Sequence, residues 1–125
     1  MPAYYQLTGN LLILAVVGVT ENAEIERAVM DAVSSAEPGQ RLRLLWDARR
    51  AVTLLSSEDV DFRLGIVASL GKRGILVRAA LLVHPTSQQA MLEIFSREIP
   101  RALSPLPAAV FRDEAEALEW LGASD

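Results

Sequence analysis

The hydrophobic residues of this chain follow two spacings, one typical of strands and one typical of helices. Residues 4–8 and 11–17 are short runs rich in aromatic and aliphatic side chains, separated by Gly9-Asn10. Because both residues of such a pair accept the backbone angles of a tight turn, this segment is predicted to be a β-hairpin. The second run is apolar on both faces, which is typical of a covered interior strand.

Residues 20–39 contain the clearest helical spacing. One face would carry Ile25, Ala28, Val29, Ala32 and Val33. Such a single apolar face predicts a helix that packs against the core. Thr20 is predicted to cap its first amides, and Pro38-Gly39 is predicted to end it.

Alternation over residues 41–48 predicts a strand with two distinct faces. One face would carry Leu42, Leu44 and Trp46, and the other Arg43, Leu45 and Asp47. We expect the strand to end at Ala48 and residues 49–55 to connect it to the next helix.

A second helix is predicted to open at Ser56, because Ser56 and Asp59 have the spacing of a capping box. It should end near Gly71–Gly74, before a strand centred on residues 78–83. A third helix follows that strand, and its spacing predicts an apolar face consisting of Met91, Ile94, Phe95 and Ile99.

The last strand, residues 108–111, leads into a helix that Asp113 is predicted to cap. The complete order is β-β-α-β-α-β-α-β-α. Strands that alternate with helices form right-handed crossovers and a mostly parallel sheet. We therefore expect a single α/β domain over residues 1–125, with a five-stranded mixed, mostly parallel sheet covered by about four helices.

The composition narrows the class of function. The 125 residues include no cysteine, which excludes disulfides, thiol nucleophiles and cysteine-ligated zinc. The net charge of −4 argues against a protein built mainly to grip nucleic acid. Counted with glycine and without tyrosine, hydrophobic residues reach about 55%, above the roughly 45–50% of typical soluble domains. A buried sheet, a subunit interface or an apolar pocket would use this surplus.

No segment predicts membrane insertion or export. The longest apolar stretch, residues 11–19, is far shorter than the ~20 residues of a membrane-spanning helix. The ten residues before it include no lysine or arginine, whereas a signal peptide places basic residues there. We expect a cytoplasmic protein without a targeting segment.

Two segments resemble those of a known family. Residues 42–51, LRLLWDARRA, resemble a central strand that runs into an aspartate and a basic residue. Residues 110–121, VFRDEAEALEWL, resemble the family's closing strand and helix. With the element order, they make the chain similar to the SpoIIAA-like family, which has a STAS or CRAL-TRIO-type fold. The resemblance implies a small α/β domain whose relatives bind partner proteins, nucleotides or lipids.

The resemblance also raises the question of a regulatory phosphoserine, which STAS antagonists carry in an Asp-Ser pair at the start of the second helix. Here Asp47 is followed by alanine, and Ser56-Ser57 lie well beyond it. One interpretation is that Ser56 or Ser57 is a helix cap. The other is a phosphorylation switch at Ser56 or Ser57, although nearby carboxylates would oppose a phosphate there.

Asp47, Arg49 and Arg50 form the first candidate binding site. They follow the predicted central strand, and ligands of open α/β sheets bind outside the carboxyl ends of the strands. Arg49 and Arg50 would hold an anionic head group or a partner's carboxylate. In the alternative interpretation, Asp47 pairs with an arginine and the arginines are solvated.

His84, Thr86 and Ser87 form the second candidate site, on the same rim as Asp47. Thr86 or Ser87 is predicted to cap the third helix, and a helix N-terminus beside a histidine is a candidate anion site. A hydrolase built on Ser87, His84 and Asp47 has no nucleophile elbow to support it. The alternative is a surface histidine without a binding role.

Two functions of different classes follow. The first is a non-enzymatic regulatory or protein-interaction domain, which self-associates as a homodimer or binds a partner protein. The second is a binding protein for a lipid or another apolar anionic molecule, held in a pocket under the second or third helix. We expect no enzymatic activity, no cofactor, no metal site and no nucleic-acid partner.

Overall fold

The structure is a computed structural model, and it describes residues 3–51, 56–87 and 89–122, without the side chain of Met91. Within these residues the elements follow the predicted order. They are β1 (Ala3–Thr8), β2 (Leu11–Gly18), α1 (Asn22–Ser35), β3 (Leu42–Ala51), α2 (Ser57–Lys72), β4 (Leu76–Leu82), α3 (Gln89–Leu103), β5 (Ala108–Phe111) and α4 (Glu114–Leu121). No helix in this part of the chain is long and apolar enough to cross a membrane.

The strands lie in the sheet in the order in which they follow along the chain, β1-β2-β3-β4-β5. β1 and β2 pair antiparallel, and all other neighbours pair parallel. Right-handed crossovers that always step to the next strand place their helices on one face. The front face of the sheet therefore carries α1, α2 and α3, and the back face carries α4. The predicted mixed, mostly parallel α/β fold is confirmed.

The hairpin between β1 and β2 closes through two residues, since Thr8 pairs with Leu11. Gly9 has a φ of 58°, in the left-handed region, whereas Asn10 does not. A glycine at the first central position is what a type II′ turn requires. Of the two turn residues, only Gly9 therefore adopts a positive φ.

The front core is formed by the inward residues of β2, β3 and β4 and by the facing sides of α1 and α2. Its sheet residues are Leu12, Leu14, Val16, Leu42, Leu44, Leu76 and Ala79. The predicted apolar face of α1 is buried at Ile25, Ala28, Val29 and Ala32 and half-buried at Val33. The prediction for β3 is also correct, because Trp46 packs on this front core while Leu45 belongs to the back face.

The back face is covered by α4, whose Ala117 and Leu121 are fully buried. The Trp120 ring lies 5.7 Å from that of Phe111, and the guanidinium carbon of Arg78 lies 5.2 Å from the Trp120 ring centroid. Arg78 donates to the Trp120 carbonyl and Arg43 to the Leu121 carbonyl. These cations complement the negative end of the helix dipole. Trp120 is therefore a packing residue.

Of the three predicted helix caps whose positions the structure describes, two agree with the sequence. Ser56 and Asp59 form the predicted capping box, and the carboxylate of Asp113 accepts from the Ala115 amide at 2.8 Å. Thr20 was the wrong cap for α1. Its buried hydroxyl donates back to the Val17 carbonyl, and Glu21 takes the N-cap position.

β3 is longer than predicted and ends at Ala51. Arg49 and Arg50 therefore lie within the strand, not in a connection. The reason is that pairing with β2 resumes after an irregularity, so that Val17 faces Arg50 and Gly18 faces Ala51. The rest of the predicted connection, residues 52–55, lies outside the described residues.

Candidate functional site: an apolar pocket under α2 and α3

A cavity of about 710 Å³ lies between the front face of the sheet and helices α2 and α3. Its apolar lining from the helices consists of Val60, Leu64 and Val67 of α2 and Ile94, Phe95 and Ile99 of α3. The sheet contributes side chains from β2 to β5, among them Trp46. The cavity extends to the carboxyl ends of the parallel strands, where ligands of α/β sheets usually bind.

Small side chains in the sheet leave the space for this cavity. Ala79 of β4 pairs with Ala108 of β5 on one side and with Leu44 of β3 on the other, and all three line the pocket. An alanine at the centre of such a row fills little of the distance between sheet and helix. Larger side chains at Ala79 and Ala108 would therefore close the pocket.

The predicted apolar face of α3 lines the cavity and is not fully packed in the core. Ile94 is 49% exposed and, with Phe95 and Ile99, lines the cavity. Leu92 and Leu103 are the buried residues of this helix. The apolar spacing of α3 therefore serves both the core and the pocket. Met91, predicted on the same face, has its side chain outside the described part.

One end of the pocket is polar and is formed by Thr20, Asn22, Asp59 and Arg63, which we call the polar cluster. Arg63 donates from Nε to Asn22 Oδ1 at 2.8 Å and from Nη2 to the Thr20 carbonyl at 2.6 Å. Asn22 in turn donates from Nδ2 to Asp59 Oδ1 at 2.8 Å. The cluster thus ties the start of α1 to the first two turns of α2.

The environment of the polar cluster shifts two pKa values. Burial lowers the pKa of Arg63, although the nearby charge of Asp59 opposes this effect. The pKa of Asp59 is lowered by the hydrogen bond from Asn22 and by the Ser56 amide. Within the described residues no carboxylate lies within ion-pair distance of Arg63. A half-buried guanidinium therefore borders an apolar cavity without a paired anion.

Asp47 and Arg49 lie at the carboxyl end of β3, as predicted, and they pair with each other. Arg49 also approaches Glu114 of α4 at 3.5 Å. Burial favours the neutral form of Asp47, but the hydrogen bonds and charge of Arg49 outweigh it and lower the pKa of this carboxyl. The interpretation in which Asp47 pairs with an arginine agrees with these contacts. Arg50 is exposed.

His84 and Ser87 line the pocket, and Thr86 holds the histidine ring. The Thr86 hydroxyl lies 2.7 Å from His84 Nδ1, and the Thr86 amide also donates to that nitrogen. Asp47 lies on the back face of the sheet with both carboxylate oxygens bonded to Arg49. The described contacts therefore do not join Ser87, His84 and Asp47. The residue directly before α3, Gln88, lies outside the described residues, so the capping of this helix by Thr86 or Ser87 stays a prediction.

Ser56 has a structural role at the start of α2. Its hydroxyl oxygen accepts from the Asp59 amide at 3.1 Å, which confirms the interpretation as a helix cap. Ser57 is the first residue of the helix and is exposed. Phosphorylation of Ser56 or Ser57 is not tested by these contacts and stays a prediction. Across the described ranges, no group of three or more histidine, aspartate or glutamate side chains is placed to hold a metal ion.

Arg63 was not among the site residues predicted from the sequence, although its position in α2 carried a signal. Val60, Leu64 and Val67 recur at the spacing of one apolar face of α2, and Arg63 lies on that same face. A charged residue within an apolar stripe is costly unless it has a polar partner. Such an interruption therefore marks a position whose polar partners have to be found, and here they are Asn22 and the Thr20 carbonyl.

A solved structure decides the fold. A crystal structure of an uncharacterised protein of the DUF3478 family from Shewanella loihica, described as having a SpoIIAA-like fold, matches this chain with a TM-score of 0.66. The match covers 95% of this chain and 91% of that chain, at 16% sequence identity. This chain has a SpoIIAA-like fold. The resemblance drawn from residues 42–51 and 110–121 is thus confirmed for the fold.

The other two comparisons add no relative to this SpoIIAA-like domain. No family model matches the sequence. No curated protein matches it. Because the likeness at 16% identity establishes the fold alone, the function has to be argued from the pocket and its residues.

Proposed function

We propose that this SpoIIAA-like domain is a non-enzymatic binding domain that takes one small apolar molecule in the pocket under α2 and α3. The observation that carries the proposal is the cavity of about 710 Å³. Small-molecule sites are clefts of roughly 300–1,000 Å³, lined mainly by apolar side chains with a few polar groups that fix orientation. The pocket has this character, with the polar cluster at one end. The proposal is the second of the two functions predicted from the sequence.

The energetics of packing support the same proposal. Side chains that line an open space lose the contacts that a filled core would give them. A larger residue at Ala79 or Ala108 would restore those contacts, yet both positions are alanine. A binding function explains why the domain keeps the space open. A binding function would also account for part of the excess of hydrophobic residues in the sequence.

Native mass spectrometry of the freshly purified protein tests this function. We expect a fraction of the protein to carry an added mass of a few hundred daltons, about the size of a molecule that fits such a site. Ala79→Leu is the variant that fills the pocket, and it should lose the added mass. Gly65→Ala, on the exposed side of α2, is the matched control and should retain it.

A fluorescent fatty-acid probe gives a second readout that does not depend on a co-purified molecule. We expect the probe to bind to the wild-type protein and to Gly65→Ala but not to Ala79→Leu. A protein that carries no added mass and also ignores the probe would contradict the binding function.

Self-association is the second candidate function, and the edge strand β1 favours it. β1 contains no charged residue, although exposed edges are usually protected by charges or proline. Tyr4 on this strand is 57% exposed. Arg27 and Asp31 of α1 lie beside β1 and carry opposite charges. Two copies that pair β1 with β1 about a two-fold axis would present the same patch to each other.

Sedimentation velocity over a range of concentrations tests self-association. We expect a dimer that Tyr4→Lys disrupts, because an edge lysine opposes strand pairing. Phe62→Lys, an equally drastic change at an exposed site on α2, should leave the dimer intact. A wild-type protein that stays monomeric at tens of micromolar would refute this candidate.

A further inference from the structure

The guanidinium of Arg63 is fixed by hydrogen bonds along one edge. Nε donates to Asn22 Oδ1 and Nη2 donates to the Thr20 carbonyl, so this edge is committed to the protein. Asn22 is itself oriented, because its amide nitrogen donates to Asp59. The position of the guanidinium at the pocket is thus set by three segments: the loop between β2 and α1, the start of α1 and the first turns of α2.

The second edge of the same guanidinium is unused. Arginine carries five N–H donors in a rigid planar fork. The two hydrogen bonds above use one donor of Nε and one of Nη2, and the described contacts of Arg63 involve no donor of Nη1. The Nη1–Nη2 edge therefore keeps two parallel donors. This is the geometry that a carboxylate accepts in bidentate fashion.

The charges around the pocket favour a single negative charge on the ligand. Arg63 has no ion-pair partner among the residues that the structure describes, whereas Arg49, the other arginine of the lining, is paired with Asp47 and Glu114. A partly desolvated cation is stabilised by an anion. Glu98 and Asp59 also line the cavity, and they would repel a doubly charged phosphate.

We infer that the ligand is an apolar monocarboxylate, with its carboxylate on the Nη1–Nη2 edge of Arg63 and its apolar body between the sheet and α3. The apolar body would lie over Ala79 and against Phe95 and Ile99. This inference rests on the proposed binding function and deepens it, because it names the chemical class of the ligand and the residue that selects it.

Isothermal titration calorimetry with two probes of equal chain length tests this assignment. The probes are dodecanoate and dodecanol, which share the apolar chain and differ in the head group. We expect the wild-type protein to bind dodecanoate about 10- to 100-fold more tightly than dodecanol, as a charge-assisted hydrogen-bond pair allows. This comparison needs no variant and therefore does not depend on the folding of one.

Arg63→Gln should remove the preference between the two probes by weakening dodecanoate binding while dodecanol binding stays unchanged. Arg63→Lys keeps the charge but lacks the fork, and it should bind dodecanoate more weakly than the wild type. Arg101→Gln is the control, because Arg101 is an exposed residue of α3 outside the pocket lining, so the variant removes a positive charge without touching the proposed head-group contact. It should retain the preference.

The outcomes separate the head-group assignment from the pocket itself. Equal binding of both probes by the wild type, unaffected by Arg63→Gln, would leave the apolar pocket in place and overturn the assignment to a carboxylate. An equal loss of the preference in Arg101→Gln and Arg63→Gln would also overturn it, since the effect would then be one of general charge. Failure of the wild type to bind either probe would overturn both proposals.

Discussion

Asp47 and Arg49 form a two-pronged ion pair within a single strand, with Arg49 Nε 3.0 Å from one carboxylate oxygen and Nη2 2.8 Å from the other. The pair forms where the pairing of β3 with β2 becomes irregular, between Asp47 and Arg50. The pair lies on the back face of β3, where Arg49 also approaches Glu114 of α4. It joins the central strand to the last helix.

Asp47→Asn should make the free energy of unfolding less dependent on pH in the acid range. The folded protein holds the pKa of Asp47 below its ordinary value, so the pair stabilises the fold fully above about pH 3.9, the ordinary value. That contribution is lost as the pH falls through the lowered folded pKa. Urea unfolding should show a loss of up to about 1 kcal/mol in the variant at neutral pH, as for partly exposed ion pairs. The loss should shrink towards zero in acid.

Glu26→Gln, at an exposed carboxylate of α1, is the control for this prediction. A loss in Asp47→Asn that is equal at every pH would show that charge is not the cause.

Ala79→Leu and Ala80→Leu are adjacent changes with opposite expected results. Ala80 is fully packed under α4 on the back face, so a leucine there should lower the free energy of unfolding by about 1–3 kcal/mol. Ala79 borders the cavity on the front face, so its leucine has space and should leave the free energy of unfolding unchanged or raised. Urea titration of both variants measures the difference. Equal losses would mean that the cavity is closed in solution.

Gly65→Ala should stabilise α2 more than Gly71→Ala. Alanine is favoured over glycine within a helix by about 0.5–1 kcal/mol. A Cβ at Gly65 would meet no heavy atom within 4 Å, whereas one at Gly71 would lie 3.2 Å from the Cβ of Leu106. We therefore expect the full gain at Gly65 and a smaller gain or a loss at Gly71. Thermal and urea unfolding compare the two, and an equal gain would show that Leu106 moves freely.

Arg78→Met should loosen α4 from the sheet. The arginine donates to the Trp120 carbonyl and lies over the Trp120 ring, and methionine keeps only part of its apolar stem. We expect the free energy of unfolding to fall by about 1.5–3 kcal/mol, the contribution of a hydrogen bond to a charged group. Tryptophan fluorescence should change in the folded state as well. Arg97→Met is the control, because the ion pair described for Arg97 is with its exposed neighbour Glu98, and its loss should cost far less.

Features that depend on neighbouring positions were predictable from the sequence. The alternation in residues 42–47 placed Trp46 on the front face and Leu45 on the back face, because the two-residue period of a strand is a local property. The capping box at Ser56 and the cap at Asp113 follow from spacings of two and three residues. The pairing of Asp47 with an arginine is also a local feature, because its partner Arg49 lies only two positions away.

Features that depend on distant parts of the chain were not predictable in this way. The polar cluster joins residues that are 37 to 43 positions apart, and no local spacing indicates which of them meet. The true end of β3 depends on where β2 offers a partner, so the strand continues past the predicted boundary at Ala48. The cavity depends on how far α2 and α3 stand from Ala79, which is set by the packing of the whole front face.

The sequential strand order has a consequence for how this domain is made. Each strand emerges from the ribosome after the neighbour on which it pairs, so the sheet can grow one strand at a time during synthesis. α4 follows all five strands and covers the back of β3 and β4. Until α4 is synthesised, Leu45, Ala80 and Leu82 face water on a nearly finished sheet. The nascent chain is therefore most exposed to aggregation and to chaperones between the synthesis of β5 and that of α4.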